Sequence, residues 1–236
     1  RIVKGVRFSN LRDAGDPAER AAAYEDAGAD EIVILDVSAT AAERAHGVDT
    51  VASVRSVLSI PLTVGGGVRS VEDGLRLLDA GADRIGINSA AVTNPELLDS
   101  LAQRVGRQCV VIAIDAARRT EGSGWEVVTV AGTHRTGRDA IEWMRDAEQR
   151  GAGEVLLTSW DEDGRGQGYD VPLLCAAREA IGIPIIASGG AAGPEHMADA
   201  LRAGADAVLA ASIFHDNIYS VQQVKEHLDA LGEKVR

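Results

Sequence analysis

Short runs of β-branched and aliphatic residues recur along the chain, separated by longer stretches in which apolar positions return every three or four residues. The runs are 31–36, 60–64, 84–88, 109–115, 154–158, 183–188 and 207–211, which makes seven predicted strands. Val71 to Ala80 and Pro194 to Ala203 show the clearest helical period between them. Nearly continuous apolar strands alternating with amphipathic helices predict a parallel sheet covered on both faces, and so an α/β protein. A doubly wound sheet and a closed barrel both satisfy this pattern.

An internal repeat separates the two. Gly66-Gly67, Glu72, Leu78, Ala80-Gly81-Ala82-Asp83 and Ser89 return without gaps as Gly189-Gly190, Glu195, Leu201, Ala203-Gly204-Ala205-Asp206 and Ser212, and the same offset of 123 carries Gly28-Ala29 and Glu31 onto Gly151-Ala152 and Glu154. Two similar halves of four strand–helix units predict a (β/α)8 TIM barrel with a twofold half-barrel repeat, one domain over 1–236 with halves at roughly 1–108 and 109–236. Seven strands leave such a barrel one short. Moving Asp115 back by the repeat length falls a few positions before residue 1, so the expectation is a first strand, bearing its own mouth aspartate, that lies outside this sequence. Arg1 to Val6 would then open the first loop, paired with Trp125 to Val130 over the mouth.

Composition narrows the function classes. The chain has 24 basic and 36 acidic side chains, a net charge of −12, which opposes binding to phosphodiester backbones or anionic lipid. Only eight of its 236 residues are Trp, Tyr or Phe, which leaves little for base stacking. No apolar run has the length of a membrane span and the first residues lack a signal-peptide block, so a cytoplasmic location is expected. Cys109 and Cys175 have no metal-ligand spacing and are read as reduced filler.

In a barrel the chemistry belongs after the strands. Gly65-Gly66-Gly67 with Asn88-Ser89, and Gly189-Gly190 with Ala211-Ser212, supply backbone N–H groups at helix starts and predict two phosphate cradles half a barrel apart. Tight strand-to-helix turns also call for glycine. Asp36, Asp115 and the segment Asp161-Glu162-Asp163-Gly164 offer carboxylates between the cradles. Asp115 ends an apolar strand, where desolvation would raise its pKa toward the range of a general acid or base; capping the next helix or pairing with Arg118 or Arg119 is the alternative. Asp36 reads as a positioning group. No nucleophilic triad, zinc signature or dinucleotide fingerprint is present, and none of the five histidines is assigned to a metal; His46, His134, His196 and His227 read as helical or loop-surface positions. At the opposite ends of the strands, Glu31, Arg84 and Glu154 each follow a turn with Gly-Ala. They are either solvated or form a polar ring at the barrel floor.

Lys4-Gly5, the segment Asn10-Leu11-Arg12-Asp13-Ala14-Gly15-Asp16-Pro17, Thr63-Val64-Gly65-Gly66-Gly67, Ile87-Asn88-Ser89, Ala113-Ile114-Asp115-Ala116, Leu157-Thr158-Ser159, Asp163-Gly164, Gly168-Tyr169-Asp170, Ala187-Ser188-Gly189-Gly190 and Ala211-Ser212-Ile213-Phe214-His215 stand in one order. In this the whole chain resembles the cyclase-subunit family of imidazole glycerol phosphate synthase. The resemblance implies a histidine-biosynthesis enzyme without a cofactor. It would take ammonia from a glutaminase partner and convert a bisphosphorylated ribulosyl-formimino-carboxamide ribonucleotide to imidazole glycerol phosphate and an aminoimidazole carboxamide ribotide. It implies that Asp115 is one of two catalytic aspartates and that Lys4 helps hold substrate. Gly67, Asn88 and Ser89 would form one phosphate site, and Asp163, Gly164, Gly190, Ala211 and Ser212 the other. Glu31, Arg84 and Glu154 would be three of four charged residues that admit ammonia where the glutaminase docks. Arg165-Gly166 replaces the family's usual Thr-Lys, Ala117 stands where a basic residue is common, and Ser38-Ala39-Thr40 is a shuffled Thr-Ala-Ser. The sister isomerase of the same pathway, and a non-catalytic bisphosphate-binding subunit that activates a glutaminase, are the other readings.

Overall fold

The computed structural model describes residues 2–6, 9–35, 41–130 and 132–236, with the side chains of 2–6, 9–14 and 41–46 left aside. Asp36, Ser38-Ala39-Thr40 and the side chains of Lys4 and His46 therefore lie outside the described residues.

All seven predicted strands form: β3 (Ile32–Leu35), β4 (Leu62–Gly65), β5 (Arg84–Ile87), β6 (Val110–Arg118), β9 (Glu154–Ser159), β10 (Ile185–Ser188) and β11 (Ala207–Val208). They lie in one parallel sheet in the order β3-β4-β5-β6-β9-β10-β11, each joined to the next through a helical segment. The two expected helices appear as α3 (Val71–Asp79) and α8 (Pro194–Arg202). Ser70 caps α3 through a box with Asp73, which satisfies N–H groups at both ends of the reciprocal pair. Outer faces of the strands, such as Val110, Ile112 and Ile114 on β6, pack with Leu98, Leu101, Trp143 and Met144 of the surrounding helices.

The sheet curls. Val111 of β6, Leu156 of β9 and Ile186 of β10 form a second cluster with Val33 of β3 and Leu209 beyond β11, so residues from both edge strands meet across the interior. This is the filled lumen of a TIM-type barrel. Among the described residues β3 and β11 do not pair. Helices from the two ends of the chain meet on the outside. Tyr24 of α1 (Pro17–Asp26) is hydrogen-bonded to His215 of α9 (Ser212–His215) and stacks obliquely on Phe214, while Asp30 receives Lys225 of α10 (Val221–Ala230) at 2.8 Å.

The twofold repeat is built into the packing. Arg55 reaches the Leu58 and Ile60 carbonyls and, at 3.1 Å, Asp83, whose carboxylate also accepts the Leu62 N–H. Displaced by 123 positions, Arg178 reaches the Ile181 and Ile183 carbonyls and, at 3.1 Å, Asp206, which accepts the Ile185 N–H. Each arginine stem lies over a glycine in the left-handed region, Gly81 or Gly204, where a Cβ would sit 2.4 or 2.6 Å from the arginine Cγ.

Three expectations change. The strand β1 (Ile2–Val6) pairs antiparallel with β2 (Ser9–Gly15), not with Trp125 to Val130, because a nearer partner closes its loop locally. The strand β7 (Trp125–Thr129) lies instead between the outer part of β6 and β8 (His134–Asp139), which also makes His134 a strand residue rather than a helical or loop one. Cys109 and Cys175 are free thiols, but Cys175 is exposed on α7 (Val171–Ala180) and so is not core filler: it falls between inward-facing Leu174 and Ala177 on the helix's outer face.

Candidate functional site

Alternation along the strands builds the lumen in layers. On β9, Glu154, Leu156 and Thr158 share one face; on β5, Arg84 and Gly86 do, with Asn88 just past its end; on β6, Val111, Ala113 and Asp115 do. With Leu156 and Val111 in the apolar middle, Glu154 and Arg84 are at the floor and Thr158, Asn88 and Asp115 at the mouth. Floor and mouth are about 13 Å apart along a strand, four residues at roughly 3.3 Å each.

At the mouth, Asn88 Nδ2 donates to Asp115 Oδ2 at 3.0 Å, and Thr158, the register partner of Asp115 on β9, also hydrogen-bonds the carboxylate. Desolvation outweighs both donors and, with the negative charge of Asp163, pushes the Asp115 carboxyl from 3.8 to about 6. Arg118 and Arg119 are turned elsewhere, to Asp170 at 3.2 Å and Asp139 at 3.0 Å, and neither forms an ion pair with Asp115. The Asn88 Oδ1 is buried with no hydrogen-bond partner among the described residues.

The two glycine cradles flank this carboxylate in equivalent strand-to-helix turns. Gly66 and Gly67 have φ of 103° and 70°, Gly189 and Gly190 of 89° and 101°, a backbone that side-chain-bearing residues rarely adopt. A Cβ on Gly190 would lie 2.0 Å from the Gly168 carbonyl oxygen, which itself belongs to the turn after Asp163-Gly164. The Gly168 N–H donates to the Gly190 carbonyl at 2.9 Å, so these two segments form one wall. Ser89 opens α4 (Ser89–Thr93) and Ser212 opens α9, and neither helix has a side chain capping its first N–H groups. Such groups can receive an anion.

At the floor, Glu31, Arg84 and Glu154 converge. Arg84 Nη1 pairs with Glu31, Thr63 donates its hydroxyl to the other Glu31 oxygen, and Arg84 Nε stands 3.9 Å from Glu154 Oε2. Burial works against the Arg84 charge, yet the Glu31 hydrogen bond and the Glu31 and Glu154 charges hold its pKa above the ordinary value. Burial raises the Glu154 carboxyl, with Arg84 opposing, and its Oε2 has no hydrogen-bond partner among the described residues. The sequence reading missed Thr158 and Thr63 as site residues. Counting by twos from Glu154, or by register from Glu31, puts both on the lumen face.

Among the described residues no group of His, Cys, Asp and Glu is arranged to hold a metal, and no helix is long and apolar enough to cross a membrane. Residues 1–220 match the family model described as "Histidine biosynthesis protein". The chain is 52% identical over 241 residues to the protein named imidazole glycerol phosphate synthase subunit HisF of Mycobacteroides abscessus, covering 100% of this chain and 94% of that one. It is 54% identical over 237 residues to the like-named protein of Dehalococcoides mccartyi, covering 100% and 93%, and 51% identical over 233 residues to that of Nocardia farcinica, covering 97% and 91%. A matched family model over most of its length, and half of its residues shared with such relatives, establish that this chain belongs to the histidine biosynthesis protein family.

Proposed function

We propose that this chain is the cyclase subunit of an imidazole glycerol phosphate synthase, acting in the cytoplasm with a glutaminase partner. The observation that carries the reading is the desolvated carboxylate of Asp115, standing between two equivalent glycine cradles and above a charged floor on the same lumen face. A substrate with a phosphate at each end spans the cradles, one end on Gly67 and Ser89, the other on Asp163-Gly164, Gly190, Ala211 and Ser212. Lys4 assists from the β1–β2 hairpin. Asn88, which the resemblance assigns to the first phosphate, donates its amide N–H to Asp115.

With a pKa of about 6, Asp115 is mostly ionised at neutral pH and exchanges its proton readily. It accepts a proton as ammonia adds to the substrate and returns one as the ring closes, and a group that must act in both directions works best with a pKa near the working pH. Ammonia enters at the floor, where Arg84 bridges Glu31 and Glu154, and follows the apolar middle layer. The floor is the docking face for the glutaminase.

The test is consumption of the bisphosphorylated substrate with saturating ammonium salt. Turnover that depends on ammonia supports the reading. Ammonia-independent isomerisation, or stimulated glutamine hydrolysis without cyclised product, overturns it in favour of the isomerase or of a binding subunit.

A further inference from the structure

Arg118 is the last residue of β6, three positions beyond Asp115, and it holds both ends of the segment that follows β9. Its main-chain N–H donates to Asp161 Oδ2 at 2.7 Å, at the start of that segment. Its Nη2 donates to Asp170 Oδ1 at 3.2 Å, at the end. The guanidinium also lies over the Trp125 ring, 5.1 Å from its centroid, and Trp125 Nε1 donates to the second Asp170 oxygen at 3.0 Å. Asp170 further caps α7 by accepting the Leu173 N–H.

The burial is lopsided. The Arg118 side chain is 54% exposed, whereas that of Asp170 is 3% exposed. An exposed ion pair adds little to stability, but a buried carboxylate depends on every donor it has. Between Asp161 and Asp170 lie Asp163 and Gly164, and Gly168 in the same stretch donates to Gly190 of the second cradle's own glycine turn. One residue thus links the strand carrying the acid to the whole outer wall of the second cradle.

We infer that Arg118 is a positioning residue: through Asp161 and Asp170 it sets where the second phosphate site stands relative to Asp115. This rests on the cyclase reading, and acts on substrate placement rather than on proton transfer. Replacing it should therefore move KM for the bisphosphorylated substrate more than kcat and leave the pH profile of turnover in place.

The experiment compares Arg118→Met, Arg118→Lys, Asp170→Asn and the Arg118→Met/Asp170→Asn pair in the intact protein, with saturating ammonium salt. Arg118→Met should raise KM about tenfold or more, the loss expected for a hydrogen bond to a charged group. Its kcat should fall less than about threefold, Arg118→Lys should recover part of the loss, and the double variant should be no worse than the poorer single one. Amide exchange over residues 161–170 should quicken in Arg118→Met while that of β9 does not. An unchanged KM with a lowered melting temperature, or a shifted pH profile, overturns the inference. So does unaltered exchange over 161–170, a readout that needs no turnover. Absence of ammonia-dependent turnover in the unaltered protein counts against the cyclase reading, and the exchange result then decides the positioning role alone.

Discussion

Replacing Asp115 by Asn should make the protein more stable and far less active, and the first effect should depend on pH. The carboxyl titrates at 3.8 ordinarily and at about 6 in the fold, so ionising it there costs up to about 3 kcal/mol. Above pH 6 the wild-type chain bears that cost in full. Below about pH 3 the carboxyl is protonated in both the folded and unfolded chain, and the cost disappears. An asparagine keeps the shape and can still accept the Asn88 N–H, but has nothing to ionise. Urea unfolding followed by tryptophan fluorescence should therefore show the variant ahead by up to about 3 kcal/mol at pH 8. With a slope of about 3 kcal/mol per molar urea, that moves the midpoint by about 1 M. The advantage should shrink from about pH 6 downward and be absent at pH 3. Turnover should drop at least about 100-fold, the contribution of a general acid or base. Equal midpoints at pH 8 would refute the desolvation argument, and a gain that persists at pH 3 would trace the stabilisation to something other than ionisation.

Asn88→Ala removes a donor that favours the charged carboxylate, so the lower limb of the pH–rate profile should move to higher pH; a limb that stays in place would mean Asn88 does not act on Asp115. Arg84→Met or Glu154→Gln should reduce glutamine-dependent turnover in the presence of the partner more than turnover driven by ammonium salt, and equal losses would assign the floor ring a structural role. Arg55→Ala and Arg178→Ala should each lower unfolding stability, by about 1 to 2 kcal/mol after allowance for their partial exposure, and by similar amounts in denaturant melts because the two clamps are copies. A large effect from one and none from the other would mean the halves are not energetically equivalent.

The strands were legible because a sheet covered on both faces leaves an apolar run at each one, and the barrel because glycine turns and the Ala-Gly-Ala-Asp segment repeat in phase. Asp115 was legible as a charge at the end of such a run. The floor cluster was half legible: residues 31, 84 and 154 stand out as charged strand starts, but convergence requires the sheet to curl, and only register says that Thr63 and Thr158 turn inward with them. The β7–β8 hairpin left a weak signal, since His134–Asp139 is polar and mostly surface-facing, and its partner choice is decided by the outward extension of β6 past Asp115. Arg55 and Arg178 were hidden for another reason. A lone arginine at a helix end looks like ordinary surface charge until its carbonyl and aspartate partners are seen.

The contacts between the first helix and the last two bear on how the molecule comes apart. Tyr24 and His215 are 191 positions apart in the chain, and Asp30 and Lys225 are 195 apart. Contacts of such separation carry the largest loop-closure cost and form after the local strand–helix units are in place. Interactions made after the rate-limiting step act on the escape from the native state, not on its formation. The contact between these helices is thus a kinetic latch: loosening it should hasten unfolding while leaving the refolding rate nearly as it was.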